Sequence, residues 1–222
     1  MPEGQEVDIS ISSPIQTRDK VRQIRNAISS RIPAAQVPLR KAGLHKQLDE
    51  KDFNIASIHV AANLLRQADT DDTLKMYNRN GFLKRLQTES QTLRRLGQPA
   101  TLAFIDVNGL KTINDTDGHA AGDAYLIRCA ETIMDSIRSS DIVGRYGGDE
   151  ILALLVGTDF QHSKLWLEKF KALMNKNGVS ASVGLSAFDP DDIDGTIKKA
   201  DEIMYQAKTG YYTERGETPR KT

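Results

Sequence analysis

Two adjacent glycines, Gly147-Gly148, separate two short apolar runs, Asp141–Tyr146 and Ile151–Val156, and this arrangement limits the fold more than any other feature of the chain. Strand-length runs joined by a tight turn containing two glycines read as a β-hairpin. Helical and strand-like periodicities surround the hairpin. Asn78–Leu96 reads as an amphipathic helix, Thr101–Val107 as a buried strand, Asn114–Gly118 as a polar loop and Ala120–Ser139 as a second long helix. Beyond the hairpin come a helix at about Gln161–Asn177, a strand at Val179–Ala187, a helix at about Ile193–Ala207, and ten polar residues read as disordered. A hairpin set between helical crossovers implies one central sheet mixing antiparallel and parallel pairs, with helices on its faces. The expected fold class is α+β and palm-like.

Upstream the texture differs. Residues 1–14 read as lacking fixed structure, and helical patterns follow over about Arg18–Ile32 and Val37–Ala68. The polar, acidic stretch Gln67–Asp72 marks a boundary. The expected division is a helical extension over 1–68, a main domain over 69–213 and a polar tail over 214–222. The extension either helps to dimerise or transmit a signal, or it forms a helical pair packed on its own domain.

Thirty lysines and arginines balance thirty aspartates and glutamates. That balance disfavours a nucleic-acid partner, so any phosphate chemistry must rest on local arrangement. Cys129 is the only cysteine, which excludes an internal disulfide framework or a thiolate zinc cage; within an apolar-periodic helix it reads as an inert core thiol. No apolar run is long enough for a membrane span and the N-terminus shows no signal-peptide pattern, so the expected location is cytoplasmic.

Two acidic sites stand at strand ends rather than on helices. Asp106 closes the apolar strand, and Asp149 and Glu150 follow the two glycines. If the hairpin pairs beside the Asp106 strand, three carboxylates converge near one sheet edge. Converging carboxylates call for a cation, and hard oxygen ligands beside phosphate point to Mg²⁺ or Mn²⁺.

The run from Asp106 to Asp123, the run Arg145-Tyr146-Gly147-Gly148-Asp149-Glu150-Ile151, the stretch Ser182–Ser186 and the stretch Ala200–Lys208 occur in the order of four blocks of the GGDEF family. They resemble D-[IL]-D-x-F-K-x-[IVL]-N-D-x-x-G-H-x-x-G-D, R-[YF]-G-G-[DE]-E-F, S-[IV]-G-[IV]-[AS] and A-D-x-A-[LM]-Y-x-A-K. The resemblance spans roughly Asp72–Tyr211 and implies a nucleotidyl cyclase, ferredoxin-like palm. It also implies diguanylate cyclase activity, in which two GTP molecules become cyclic di-GMP with release of pyrophosphate.

Carried over residue by residue, the resemblance assigns Asp106, Asp149, Glu150 and the Val107 carbonyl to two metal ions. Asn114 and Asp123 would read guanine, Lys111 and Lys208 would neutralise the triphosphate, and Asp149, Glu150 and Lys111 form the catalytic set. Arg138 and Asp141 match an R-x-x-D motif that binds cyclic di-GMP as an inhibitor. Joining two nucleotides in a symmetric ring implies a homodimer. Several positions depart from the pattern: Asn108 replaces an aspartate, Gly109-Leu110 an often aromatic stretch and Ile151 the final Phe, and the Arg expected after Lys208 is missing or displaced. None strikes a metal carboxylate. The alternative implied function is a degenerate domain acting as a cyclic di-GMP or GTP receptor.

Overall fold

The computed structural model describes residues 49–218, and also 32–33, 35–37 and 39–42. The expected unstructured start, nearly all of the helix expected at Arg18–Ile32, and residues 219–222 lie outside the described residues. Contacts divide the chain into two compact units, Met1–Ala68 and Asp69–Thr222. Helix α1 (Glu50–Asp69) covers the later part of the second expected upstream helix and runs one residue past it, to the boundary between the units. Asp49 opens it by accepting the Asp52 N–H at 2.8 Å, and the Arg40 guanidinium lies 5.4 Å from the Phe53 ring centre.

The second unit is a four-stranded sheet with helices on both faces. Its elements are α2 (Arg79–Leu96), β1 (Ala100–Val107), α3 (Leu110–Asp117), α4 (His119–Ser136), β2 (Ile142–Arg145), β3 (Glu150–Val156), α5 (Phe160–Lys176), β4 (Ala181–Ala187) and α6 (Ile193–Thr213). Asn78 caps α2 by accepting the Gly81 N–H at 3.0 Å, and Gly97 ends it in the left-handed region. The strand order is β2-β3-β1-β4.

The expected α+β palm is the fold observed, but the sheet is not mixed. Every pair of its strands is antiparallel. The helical crossover does join strands running the same way, β1 and β2, yet β3 inserts between them and pairs antiparallel with both. The only parallel pairing among the described residues is the isolated bridge between Tyr77 and Gly144. Two further expectations differ. The polar loop at Asn114–Gly118 is mostly helix, because α3 runs to Asp117 and Gly118 then turns the chain into α4. The last helix reaches Thr213 rather than Ala207, since nothing in Lys208–Tyr212 stops it and the half-buried Tyr211 and Tyr212 give its end a packed face.

β1 is buried along its whole length, as a strand covered on both faces must be. Alternation sends Ala103, Ile105 and Val107 to a core with Leu126, Cys129 and Ile133 of α4 and Phe170 and Met174 of α5. Leu102 and Phe104 face the other way, against Phe82 and Leu86 of α2 and Ile197, Ala200 and Met204 of α6. Asp106 continues this second face, at the strand end where α6 passes. Gly184 on β4 fixes how closely α6 sits: a Cβ there would lie 2.0 Å from the Ala200 carbonyl oxygen.

Candidate active site

The hairpin brings the expected carboxylates to one end of the sheet. Asp106 stands opposite Glu150 in the β1–β3 register, and the Val107 N–H donates to the Asp149 carbonyl at 3.0 Å. Arg145 holds the turn between them. Its Nε donates to the Gly147 and Gly148 carbonyls at 3.1 Å each, one Nη donates to Gly148 at 2.7 Å, and the other reaches Asp71 at 3.0 Å. Asp71 in turn accepts the Thr73 and Leu74 N–H groups at 2.9 and 2.8 Å. Burial works against its charge, but the Leu74 N–H and the Arg145 guanidinium win and hold the carboxyl below its ordinary value. On the other side, Arg79 stacks 4.3 Å over the Tyr146 ring and donates to its hydroxyl at 3.2 Å.

Asp106 is the most unusual group in the unit. Its side chain is fully buried, and one oxygen accepts from the Lys208 ammonium at 2.8 Å. The other oxygen, Oδ1, is buried without a hydrogen-bond partner. Burial, opposed by the Lys208 hydrogen bond and reinforced by the charges of Asp149 and Glu150, pushes the Asp106 carboxyl up to about 6. Burial likewise opposes the Lys208 charge, but Asp106 outweighs it and raises the ammonium above its ordinary value. Glu150 is raised by burial and by the charges of Asp149 and Asp201.

A cleft of about 470 Å³ opens at this end, lined by Val107, Lys111, Asp115, Asp149, Lys208 and Tyr212 among others. Glu150 instead lines a smaller pocket of about 330 Å³ with Tyr146, Asp194 and Asp201. Asp149 and Glu150 thus border different pockets, although their charges still act on each other. Among the described residues, no three acidic, histidine or cysteine side chains already form a metal-ready cluster. Lys208 supplies the positive charge that Asp106 needs. The donor chemistry nevertheless fits a divalent cation, because the orphaned Asp106 oxygen is a hard ligand with nothing else to bind it.

The remaining expected residues fall into three groups. Lys111 is exposed at the start of α3 and belongs to the cleft. Asn114 lies against the backbone of Gly122, whose missing side chain makes room: a Cβ there would lie within 2.0 Å of the Asn114 side chain, with the separation itself 1.8 Å. Asp123 follows on α4 and is exposed, so both proposed base readers sit at the α3–α4 corner beside the cleft rather than in its lining. Asp141 is occupied by backbone, accepting the Arg138 N–H at 2.8 Å and the Val156 N–H at 3.0 Å. It fixes the turn, while the Arg138 side chain is exposed and has no hydrogen bond or ion pair among the described residues. Asp115 lines the cleft.

Sequence spacing gives no separate role to three contributors: Arg145 sits inside the glycine-turn signature, Asp71 lies outside the four blocks, and Tyr212 follows Lys208 where the pattern breaks. The departure at Asn108 has a structural explanation. Its amide donates to the Ser180 hydroxyl at 3.2 Å and accepts from Ser182 at 2.9 Å. A carboxylate could not donate the first of these bonds.

Comparison with known proteins agrees with this architecture. A family model described as "Diguanylate cyclase, GGDEF domain" matches residues 68–211. The diguanylate cyclase DgcP of Escherichia coli (strain K12) is 30% identical over 187 residues, covering 79% of this chain and 55% of DgcP. The chain thus spans about half of that relative's length. Among solved structures, diguanylate cyclase SiaD of Pseudomonas aeruginosa, in complex with its activator SiaC, is 27% identical at a TM-score of 0.60. That match covers 88% of this chain and 82% of SiaD. The GGDEF domain of DgcB from Caulobacter crescentus, in complex with c-di-GMP, shares the fold at a TM-score of 0.61, with 24% identity and coverage of 65% and 89%.

Proposed function

The chain belongs to the GGDEF diguanylate cyclase family, and from that premise we propose that it condenses two GTP molecules into cyclic di-GMP. The observation that carries the proposal is the buried, unpartnered Asp106 oxygen beside a cleft lined by two lysines. In each half-reaction the 3′-hydroxyl oxygen of one GTP bonds to the α-phosphorus of the other. The bond to the bridging oxygen breaks, pyrophosphate leaves with the electron pair, and the hydroxyl proton passes through Asp149 to solvent.

The chain's residues divide this work. Asp106, Asp149, Glu150 and the Val107 carbonyl would hold two divalent ions, Mg²⁺ or Mn²⁺. Bound there, such ions lower the hydroxyl's pKa and neutralise the leaving pyrophosphate. Asp115, Asp149 and Glu217 outnumber Lys111 and Lys208 in the cleft lining, so a bare triphosphate would meet net negative charge, which bound cations would offset. Lys111 and Lys208 bind phosphate oxygens as point charges. Asn114 and Asp123 select guanine, whose N1–H and amino group an aspartate can accept and adenine cannot offer. Arg145 and Asp71 keep the hairpin still, so that Asp149 and Glu150 approach the nucleotide from a fixed backbone.

Because one unit offers one GTP site, the symmetric product calls for two units facing each other, and we place a homodimer in the working enzyme. Arg138 and Asp141 would bind the product and restrain turnover. Residues 1–68 would then serve as a helical extension to the catalytic domain of 69–213, with 214–222 as a tail. No helix among the described residues is long and apolar enough to cross a membrane. The test is Asp106→Asn, which keeps the side-chain shape but removes the charge. Pyrophosphate release from GTP with Mg²⁺ should fall at least about 100-fold, in the range expected when a metal-directed electrostatic contact is lost. Unchanged turnover would refute the assignment.

A further inference from the structure

Tyr212 lies in the last turn of α6, and its hydroxyl accepts the Gly109 N–H at 3.2 Å. Gly109 caps the N-terminus of α3, where no helix carbonyl reaches the backbone donors. Donors of this kind hold phosphate oxygens when an anion is at hand. Here the same cleft also presents Lys111 and Lys208.

We propose that Tyr212 is an internal competitor for the nucleotide's phosphates, its phenolic oxygen occupying a backbone donor that the bound triphosphate must take over. The proposal rests on the reading of the cleft as the triphosphate site and deepens it by naming the residue that sets its affinity.

The phenol is held in place from behind. The Tyr212 carbonyl accepts both the Arg215 N–H at 3.0 Å and the Glu217 N–H at 2.9 Å, so the turn after α6 closes on this residue. The ring meets Tyr211 edge-on, with centres 5.1 Å apart. That turn brings no cation into the cleft. The Arg215 guanidinium stacks 3.7 Å over the Tyr211 ring and donates to the Tyr211 carbonyl at 3.1 Å, while Glu217 adds a carboxylate to the cleft wall. The hydroxyl oxygen thus stands on the backbone donor that a phosphate oxygen would need, with a carboxylate rather than a cation beside it.

Tyr212→Phe removes the hydroxyl and keeps the ring. The full chain is titrated calorimetrically, with Mg²⁺ present, using guanosine 5′-[α,β-methylene]triphosphate, which cannot release pyrophosphate. Guanosine serves as the phosphate-free comparison. The variant should bind the triphosphate analogue roughly two- to tenfold more tightly, the worth of one neutral hydrogen bond, and guanosine as before. With GTP, KM should fall by a similar factor. Unchanged or weaker binding of the analogue overturns the proposal, and so does an equal change for guanosine, which would mark a general disturbance of the fold. Failure of the unaltered protein to bind the analogue at all, while guanosine still binds, would instead overturn the triphosphate reading of the cleft.

Discussion

Replacing Lys208 by Met should destabilise the metal-free protein by an amount that grows with pH. Methionine keeps the unbranched apolar stem but removes the ammonium from the fully buried Asp106. With its carboxyl pushed up to about 6, Asp106 is ionised at pH 7 in the unaltered protein. Ionisation there stabilises the folded state by roughly 1 kcal/mol relative to the protonated form, about one pH unit above the pKa. Without Lys208 both carboxylate oxygens lack a partner, the folded-state pKa rises further, and the variant folds with Asp106 protonated. The folded pKa lies above the unfolded value of 3.8 in both proteins, so in each stability falls as pH rises toward the folded pKa. The unaltered protein stops losing stability near pH 6, whereas the variant continues to lose it. Their difference should therefore be smallest at pH 5, grow by roughly 1 kcal/mol for each pH unit above 6, and stay within the roughly 3–5 kcal/mol expected for breaking a buried ion pair. Urea unfolding in EDTA at pH 5, 6, 7 and 8 measures it. A difference independent of pH would refute the claim that Lys208 acts by keeping Asp106 charged.

Other sites give separable outcomes. Asp71→Asn keeps an acceptor for the Thr73 and Leu74 N–H groups but loses the charge facing Arg145, and should cost about 1–2 kcal/mol at pH 7. Because the folded-state carboxyl is depressed, this contribution exists above the ordinary value of 3.8 and should vanish in unfolding curves as pH falls below it. Gly184→Ala forces α6 off β4, since the new methyl would meet the Ala200 carbonyl; a loss of about 1–3 kcal/mol in denaturant unfolding is expected. Arg138→Ala removes an exposed side chain and should leave stability within about 0.5 kcal/mol. Calorimetry should show its cyclic di-GMP affinity falling at least about tenfold, as the loss of a charge-assisted contact implies.

Much of this fold is legible in the sequence because its signals are local. The hairpin follows from two glycines between apolar runs, and β1 from an unbroken apolar stretch that ends at Asp106. Strand order is not local. A crossover says that two strands run the same way, but not that β3 enters between them, and the mixed sheet was expected for that reason. Asn114–Gly118 carries turn residues and reads as a loop, whereas α3 runs to Asp117 and its Asn114 packs against Gly122 of the next helix, a contact between elements that local spacing does not reveal. The site shows the same division. Spacing and resemblance single out Asp106, Asp149, Glu150 and Lys208, yet neither reveals that Lys208 neutralises Asp106 or that Glu150 borders a separate pocket. Those outcomes depend on how α6 crosses the sheet end.

Incubating the full chain with GTP and Mg²⁺ and resolving the products by mass spectrometry decides between cyclase and receptor. Cyclic di-GMP should form, with two pyrophosphates released for each molecule. Unconsumed GTP alongside tight binding of cyclic di-GMP would contradict it and identify the chain as a receptor.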